Sequence, residues 1–420
     1  MRSQGAAAPR RRPLGALALA AALFAGACAA KSGGDNGGAG GSTGGGMGGA
    51  GGDTMGLKLA TGGPYDFGHP RVSGSCTLTT APGASSATQS VYNSWLATFV
   101  TMNGAGGHLR VQRTNNQNDT VSEGIGYGMI AAVYMNDRTT FDGLWQYGQA
   151  HFNSKGLMSW HLTSSGALFN AQDPGSASDG DVDMIWALLM ASDQWVSQTY
   201  LDAAANMITA MRQNSIAPDG TLKPGDTWGG TPLTNPSYFS PAYFRVFAVV
   251  TADPLWSTTI IDKNYTTLAK ITGNNGLVPD WTNNAGVVNT TLTEGGSTFE
   301  NSKYGYDAAR TPWRIAMDWC FNGEPRAHDY LVKVGAFFNG VGATNIGDGY
   351  ALTGSQVSGN KNMAFIGPAG VSGMAGYQGL LDGAFTYGAN GGGGDLSYYP
   401  ASLRMISMLM MSGNFVDFTK

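Results

Sequence analysis

Three segments of the chain combine carboxylates with glycine, arginine or aromatic neighbours, as acid–base chemistry requires. The first is TVSEGIGYGMIAAVYM at 120–135, in which Glu123 follows Thr120 by three residues. That spacing is typical of a capping box, in which the Glu only caps a helix. The glycines at 124, 126 and 128 each weaken a helix by about 0.5–1 kcal/mol, as expected where another group approaches the backbone closely. A Glu screened from water there would have the raised pKa of a general acid.

The second segment is ASDGDVDMIWALLMASDQW at 177–195, where three aspartates precede an apolar stripe. Ordinary helix capping explains one Asp at a helix start, but it does not explain three. A calcium-binding EF-hand loop is excluded because Met184 and Met190 stand where Gly and Glu are required. Carboxylates that alternate beside a cleft can bind ligand hydroxyl groups, so Asp179, Asp181 and Asp183 indicate a substrate-binding cluster.

The third segment is YGYDAARTPWRIAMDW at 304–319, where Asp307 and Arg310 lie one helical turn apart. Such a pair is either a structural ion pair or a base whose ionised form the arginine favours. The five histidines show no metal-ligand spacing, and neither CxxC nor HExxH occurs in the sequence. The sequence therefore predicts neither a metal nor another cofactor.

The composition narrows the classes of partner. Only 12% of the 420 residues are charged and the formal net charge is -4, so no basic field attracts nucleic acid. Aromatic residues make up 10%, including 10 Trp and 17 Tyr, which permits binding of a neutral, hydroxyl-rich ligand such as a sugar. One large domain can occupy a chain of this length, and we expect a monomer.

The amino-terminal part predicts export. Residues 1–30 place four arginines before an apolar run that ends in small residues at Cys28, as in a signal peptide. Either Cys28 is lipidated and anchors the protein to a membrane, or cleavage occurs near Ala30. Residues 31–58 form a glycine-rich flexible linker, and 59–420 form the folded domain. If Cys28 is lipidated, Cys76 and Cys320 remain and could pair in an oxidising compartment.

The domain itself has mainly helical periodicity, which predicts an all-α fold. Long loops at 160–180, 214–240 and 272–305 join the helices and are typical of binding loops. Apolar residues recur at three and four spacing in ten segments, namely 90–102, 121–135, 140–152, 182–196, 199–213, 241–251, 306–321, 328–339, 374–386 and 400–411.

From about residue 60 to 418 the sequence resembles glycoside hydrolase family 8, which contains endoglucanases, lichenases, xylanases and chitosanases. The motifs that carry the resemblance are SEGIGYGM at 122–129, ASDGDVDMIWALLMASDQW at 177–195 and YDAARTPWR at 306–314. Supporting matches occur in the same order as in the family, namely GLMSWHL at 156–162, GDTWGG at 225–230, NPSYFSPAYFRVF at 235–247 and YYPASLRMISMLMMSGNF at 398–415.

The resemblance implies a role for each matched residue. Glu123 is the expected proton donor, Asp307 the base, and Asp179 a carboxylate that binds and distorts the sugar at the cleavage point. Arg310 is the expected partner of the base. Trp160, Trp228, Tyr306 and Tyr398 are expected to stack on or position sugar rings. The sequence departs from the family pattern at Ile125, where Gln is expected, and at Ile185, where a small residue is expected.

The resemblance also implies an (α/α)6 barrel with the active-site cleft at one end. The expected activity is that of an inverting endo-β-1,4-glucanase on cellulose or a related β-glucan. Inversion requires the acid and base to lie roughly 6.5–9.5 Å apart, which leaves room for a water molecule. A xylanase, lichenase or chitosanase on the same scaffold is the main alternative. A surface lipoprotein that binds glycan without cutting it is the alternative from a different class.

Overall fold

A computed structural model of the protein describes residues 65–70 and 75–420. The predicted signal peptide, Cys28 and the predicted linker lie outside these residues. Within them, no helix is long and apolar enough to cross a membrane. The described part of the chain contains twelve α-helices and eight short strands.

Apart from the first and the last, the helices occur along the chain as five successive pairs. They are α1 (Ala84–Phe99), α2 (Ser122–Tyr134), α3 (Arg138–Ala150), α4 (Ser178–Gln194), α5 (Gln198–Asn214), α6 (Pro241–Thr251), α7 (Ile261–Ile271), α8 (Thr311–Asn322), α9 (Pro325–Val341), α10 (Met363–Ser372), α11 (Gln378–Ala389) and α12 (Tyr398–Met411).

The even-numbered helices are mostly or entirely buried and form an inner ring. Neighbours in this ring are in contact, and the stacked rings of Trp186 and Tyr243, 4.2 Å apart, join α4 to α6. The odd-numbered helices bury one face only. In α5 the buried residues recur at three and four spacing, which is the pattern of an outer helix. The architecture is the predicted (α/α)6 barrel.

Glycines in α2 allow the inner helices to pack closely. A Cβ at Gly126 would lie 2.7 Å from the Cβ of Asp183, so no larger residue fits between α2 and α4. A Cβ at Gly124 would lie 2.9 Å from the hydroxyl of Tyr398. The close approach that these glycines predicted is therefore made by a neighbouring helix and by a tyrosine.

The strands form four antiparallel pairs in the long connections. The pair β3–β4 matches Val121 with His161 and thereby fixes the start of α2 beside Trp160. The pairs are β1 (Val100–Thr101) with β2 (Arg110–Val111), β3 (Thr120–Val121) with β4 (His161–Leu162), β5 (Leu292–Glu294) with β6 (Ser297–Phe299), and β7 (Lys303–Tyr304) with β8 (Tyr350–Ala351).

A disulfide joins Cys76 to Cys320, 244 residues apart in the sequence. The sequence left this pairing open. Cys320 lies near the end of α8, so the bond ties this inner helix to the segment that precedes α1.

Candidate active site

The predicted acidic residues meet at the amino-terminal ends of the inner helices. Glu123 and Asp179 are the second residues of α2 and α4, and Tyr398 is the first residue of α12. Arg310 lies directly before α8. The positive end of a helix dipole stabilises carboxylates placed there, so the barrel concentrates acidic groups at one end.

Arg310 connects the three carboxylates of the site. Its Nη1 donates to Oε2 of Glu123 and to Oδ2 of Asp179, both at 2.7 Å, and its Nη2 donates to Oδ1 of Asp307 at 2.6 Å. The guanidinium is only 3% exposed and lies over the ring of Tyr238, with 5.2 Å between Cζ and the ring centroid. One positive charge is therefore shared by three acids.

Glu123 has the surroundings of a general acid. Its other carboxylate oxygen, Oε1, accepts a hydrogen bond of 3.0 Å from the hydroxyl of Tyr398. Burial, opposed by Arg310 and reinforced by the charge of Asp179, raises the pKa of Glu123 to about 7. The side chain keeps 15% of its surface exposed. Glu123 can therefore hold a proton in weakly acidic solution and still reach a ligand.

Asp307 has the surroundings of a base. Its Oδ1 is bonded to Arg310, and its Oδ2 accepts a hydrogen bond of 3.1 Å from Nε1 of Trp281. Burial raises the pKa of Asp307 and Arg310 lowers it, with burial the larger effect. The side chain is 32% exposed, which leaves an oxygen accessible to water. The predicted contact of Asp307 with Arg310 is present, but Asp307 shares this arginine with two other acids.

Of the four predicted aromatic residues, Tyr398 contacts the acid, and the other three lie on segments next to the site residues. The indole of Trp160 is half-buried and donates to Asp173 at 3.0 Å. Trp228 lies beside Trp281, with ring centroids 5.8 Å apart, and Trp281 is in turn hydrogen-bonded to Asp307. Tyr306 is exposed, and its hydroxyl donates to Asp348 at 2.9 Å. Tyr398 touches the acid directly, as described above.

Two expectations need correction. Asp181 and Asp183 were expected to belong to a substrate-binding cluster, but both side chains are fully buried and no part of either reaches the surface. Asp183 is paired with Arg314 instead. Burial raises the pKa of Asp181 well above the usual range. The alternative of a capping box between Thr120 and Glu123 is also wrong, because the Thr120 hydroxyl donates to the carbonyl of Val111. Glu123 bonds to Arg310 and Tyr398 instead.

The two departures from the family pattern lie in the core. Ile125 and Ile185 are both fully buried. Ile185 lies inside α4, where it packs as part of an inner helix. In the described residues no group of three or more His, Cys, Asp or Glu side chains could hold a metal ion.

Sequence reasoning missed the residues that surround the base. The indole N–H of Trp281 donates to Asp307. Asp280, the residue before Trp281, has a pKa raised to about 8 by burial and by the charge of Asp307. Both residues come from the loop between α7 and β5, where no periodic pattern marks them. The only signal was the length of the loop at 272–305, which is typical of a binding loop.

Comparison with known proteins identifies the family. The model of glycosyl hydrolases family 8 matches residues 72–413. Endoglucanase 2 of Ruminiclostridium josui is 36% identical over 367 residues, which cover 84% of this chain and 76% of that protein. Endoglucanase A of Acetivibrio thermocellus is 38% identical over 336 residues, which cover 77% of this chain and 68% of that protein.

A solved structure gives the same result. The apo structure of a β-1,3-1,4-glucanase from Paenibacillus sp. X4 superposes with a TM-score of 0.74 at 30% sequence identity. The superposition covers 83% of this chain and 98% of that one. A cold-adapted family 8 xylanase shares the fold, with a TM-score of 0.68 at 22% identity. With the matched family model spanning nearly the whole described chain, the protein is a glycoside hydrolase and belongs to glycosyl hydrolases family 8.

Proposed function

We propose that this glycoside hydrolase is an inverting endo-β-1,4-glucanase, with Glu123 as general acid and Asp307 as general base. The observation that carries the proposal is the sharing of Arg310. One guanidinium binds both carboxylates through different nitrogens, while burial raises the pKa of each. The similar proteins named endoglucanases support cellulose or a related β-glucan as substrate.

The acid step begins with the proton on Glu123. Because the pKa of Glu123 is about 7, the carboxyl is protonated in weakly acidic solution. It transfers this proton to the glycosidic oxygen as the bond from that oxygen to the anomeric carbon breaks. The departing sugar leaves as an alcohol and Glu123 becomes a carboxylate. Arg310 and the Tyr398 hydroxyl then stabilise the new negative charge.

The base step takes place on the opposite face of the sugar. A water attacks the anomeric carbon and gives one proton to Asp307, so the configuration inverts in a single displacement. The neutral indole donor on Oδ2 binds a carboxylate less strongly than the charged guanidinium on Oδ1. Oδ2 is therefore the oxygen that we expect to receive the proton.

Asp179 has a different role from the acid and the base. It is bonded to Arg310 at 2.7 Å, and its Oδ1 accepts the backbone N–H of Gly180 at 2.9 Å. A carboxylate that shares Arg310 with the acid and the base can bind a sugar hydroxyl and stabilise positive charge at the anomeric carbon. Trp160, Trp228 and Tyr306 offer ring faces for neighbouring sugars of the chain.

The stereochemistry of the product tests the mechanism. Single displacement on a β-linked chain yields an α-configured product first, whereas a nucleophilic Asp307 would return the β-anomer after two displacements. Proton NMR of a fresh digest, read before mutarotation, separates these outcomes. Initial α-product is expected, and initial β-product would contradict the role of Asp307.

The preferred glucan requires a direct comparison of substrates. The similarity to a β-1,3-1,4-glucanase favours mixed-linkage glucan as the second candidate. Product analysis on carboxymethyl-cellulose, mixed-linkage glucan, xylan and chitosan distinguishes the endoglucanase from a lichenase, xylanase or chitosanase. We expect the highest rate on one of the two glucans, and binding without any cleavage would instead indicate a glycan-binding lipoprotein.

The last parts of the proposal are that the protein is exported and that it is a monomer. The disulfide between Cys76 and Cys320 supports export, because such bonds persist in oxidising compartments. Either Cys28 carries a lipid that anchors the protein at the cell envelope, or cleavage near Ala30 releases it. Labelling with a fatty acid, compared between the natural protein and Cys28→Ser, distinguishes the two. Light scattering in solution tests the monomer.

A further inference from the structure

The loop between α7 and β5 holds the backbone on both sides of Asp307. Oδ1 of Asp280 accepts the backbone N–H of Gly305 at 3.0 Å and the backbone N–H of Ala308 at 2.7 Å. These two residues flank the dipeptide that contains the base. A single carboxyl oxygen therefore fixes the short turn in which Asp307 lies.

The next residue in the same loop holds the side chain of the base. Nε1 of Trp281 donates to Oδ2 of Asp307 at 3.1 Å. The loop is itself anchored by backbone hydrogen bonds, from Asp280 to the carbonyl of Lys303 at 3.0 Å and from Trp281 to the carbonyl of Glu300 at 2.9 Å. Two adjacent residues thus restrain both the backbone and the side chain of Asp307.

The space around Asp280 is adapted to this contact. A Cβ at Gly305 would lie 2.3 Å from Oδ2 of Asp280, so only glycine allows the carboxyl to approach this backbone. Burial and the charge of Asp307 raise the pKa of Asp280 to about 8. At neutral pH the group is therefore mostly protonated, and it places little negative charge beside the base.

We propose that Asp280 is a positioning residue, which holds Asp307 in the orientation needed to activate water through its hydrogen bonds to Gly305 and Ala308. The proposal rests on the role of Asp307 as the base. Catalytic groups must be held within about 0.5 Å of the productive geometry. A displacement of about 1 Å by a distant mutation can lower the rate 10²-fold.

Asp280→Ala removes both hydrogen bonds, whereas Asp280→Asn keeps an oxygen in the same place and is neutral, as the native group is at neutral pH. We expect Asp280→Ala to lower kcat by about tenfold to 10²-fold, with KM within about twofold, because only the attack of water is misaligned. Asp280→Asn should restore most of kcat. The assay uses the glucan that the native protein hydrolyses fastest.

Asp382 supplies the matched control. It also accepts a backbone N–H, from Thr80 at 2.8 Å, but it lies in the outer helix α11 and joins that helix to the segment before α1. Asp382→Ala should leave kcat unchanged. Gly305→Ala provides an independent variant, because its Cβ would displace the carboxyl of Asp280 while Asp280 itself is retained. It should lower kcat as Asp280→Ala does, again without a comparable change in KM.

Two results would overturn the proposal. Native kcat in folded Asp280→Ala or Gly305→Ala would show that the base does not need this support. An equal loss in Asp280→Asn and Asp280→Ala would show that the hydrogen bonds are not what matters. If Asp280→Ala does not fold, as judged by melting, Asp280→Asn and Gly305→Ala decide the question. Asp307→Asn, measured in parallel, tests the base itself, so failure of the proposed mechanism is recognised separately.

Discussion

Two aspartate–arginine pairs of identical spacing join α4 to α8 and to the turn that leads into it, and the two pairs differ in what they do. Asp179 bonds to Arg310, and one helical turn deeper Asp183 bonds to Arg314; each pair is separated by 131 residues. Arg314 donates through both terminal nitrogens to both oxygens of Asp183, and neither side chain has any exposed surface. Arg310 instead divides its donors among three acids that all keep some exposed side-chain surface, 15% in Glu123, 5% in Asp179 and 32% in Asp307.

The difference lies in the balance of charge. Arg314 and Asp183 match one to one, so the pair is complete without a ligand. At Arg310 one positive charge serves three carboxylates in a buried position, which favours retention of a proton on one of them. The pKa of Glu123 is raised to about 7 by burial first, and the charge of Asp179 adds to that rise. Helix α4 thus takes part in a structural pair in the core and in the candidate active site at the barrel end.

The largest expected effect comes from replacing one of the two proton-transferring carboxylates that are bonded to Arg310. Glu123→Gln and Asp307→Asn should each lower turnover by at least about 10²–10⁴-fold, because each removes one proton transfer. Melting should change little, since the amides keep the shape of the acids. Asp183→Asn, in the deeper pair, should keep turnover per folded molecule. Near-native activity of either site variant would remove that residue from its role.

Breaking the deeper pair should affect stability. Arg314→Met leaves the carboxylate of Asp183 buried without a partner, so the free energy of unfolding should fall by about 3–5 kcal/mol. Combining Arg314→Met with Asp183→Leu removes both charges and should recover most of that loss. Urea denaturation of the single and double variants measures both values. A double variant as unstable as the single one would mean that packing, and not charge, supports this part of the barrel.

The pH dependence of activity should follow the Arg310 site. Glu123 must be protonated and Asp307 ionised, so kcat/KM should fall about tenfold per pH unit above about pH 7. As the pH falls, Asp307 takes up a proton and activity is lost. This loss should occur at a pH above the usual pKa range of an aspartate, because burial raises the pKa of Asp307. Initial rates in buffers of constant ionic strength measure the profile. A rate that stays constant to pH 9 would contradict the assignment of Glu123.

The smallest expected effect concerns a sugar-stacking ring. Trp160→Ala should raise KM roughly twofold to tenfold, which corresponds to about 0.5–1.5 kcal/mol for one stacking contact. Melting should remain nearly native because the ring is only half-buried. Trp186→Ala is the control, since this fully buried ring stacks on Tyr243 and its loss should cost about 3–5 kcal/mol of stability. A large drop in melting temperature with unchanged KM would assign Trp160 to the core.

The sequence predicted helices well where one face is apolar and poorly where no polar face exists. Ten of the twelve helices overlap predicted periodic segments, with differences of up to six residues at their ends. The missing α10 is apolar all round and includes Gly367, Pro368 and Gly370, so neither periodicity nor propensity indicates a helix. The other missing helix, α7, does bury one face, with Ile261, Tyr265, Leu268 and Ile271 at three and four spacing, so its periodicity was present in the sequence and was not recognised. Its two adjacent threonines lower its helix propensity, and it follows a single π-helical turn. Packing in the barrel overrides the local preferences of α10.

The site was predictable to the extent that its residues lie in motifs. Glu123, Asp179, Asp307 and Arg310 were all identified, but the sharing of Arg310 with Glu123 joins residues 187 positions apart, and no local pattern shows it. Asp181 was misassigned for a geometric reason. Residues i and i+4 share a helix face whereas i+2 lies on the other side, so Asp179 and Asp183 face α8 and Asp181 turns into the core.

The disulfide makes the thermal stability of the enzyme depend on whether its environment is oxidising or reducing. The bond closes a loop of 244 residues, which includes seven of the twelve described helices and ends on the helix that carries Arg314. Closing so long a loop restricts the unfolded chain strongly, and loss of a native disulfide typically costs about 2–5 kcal/mol. The geometry at Arg310 does not involve either cysteine. Reduction should therefore leave the catalytic rate intact while shortening the time for which the enzyme survives heat.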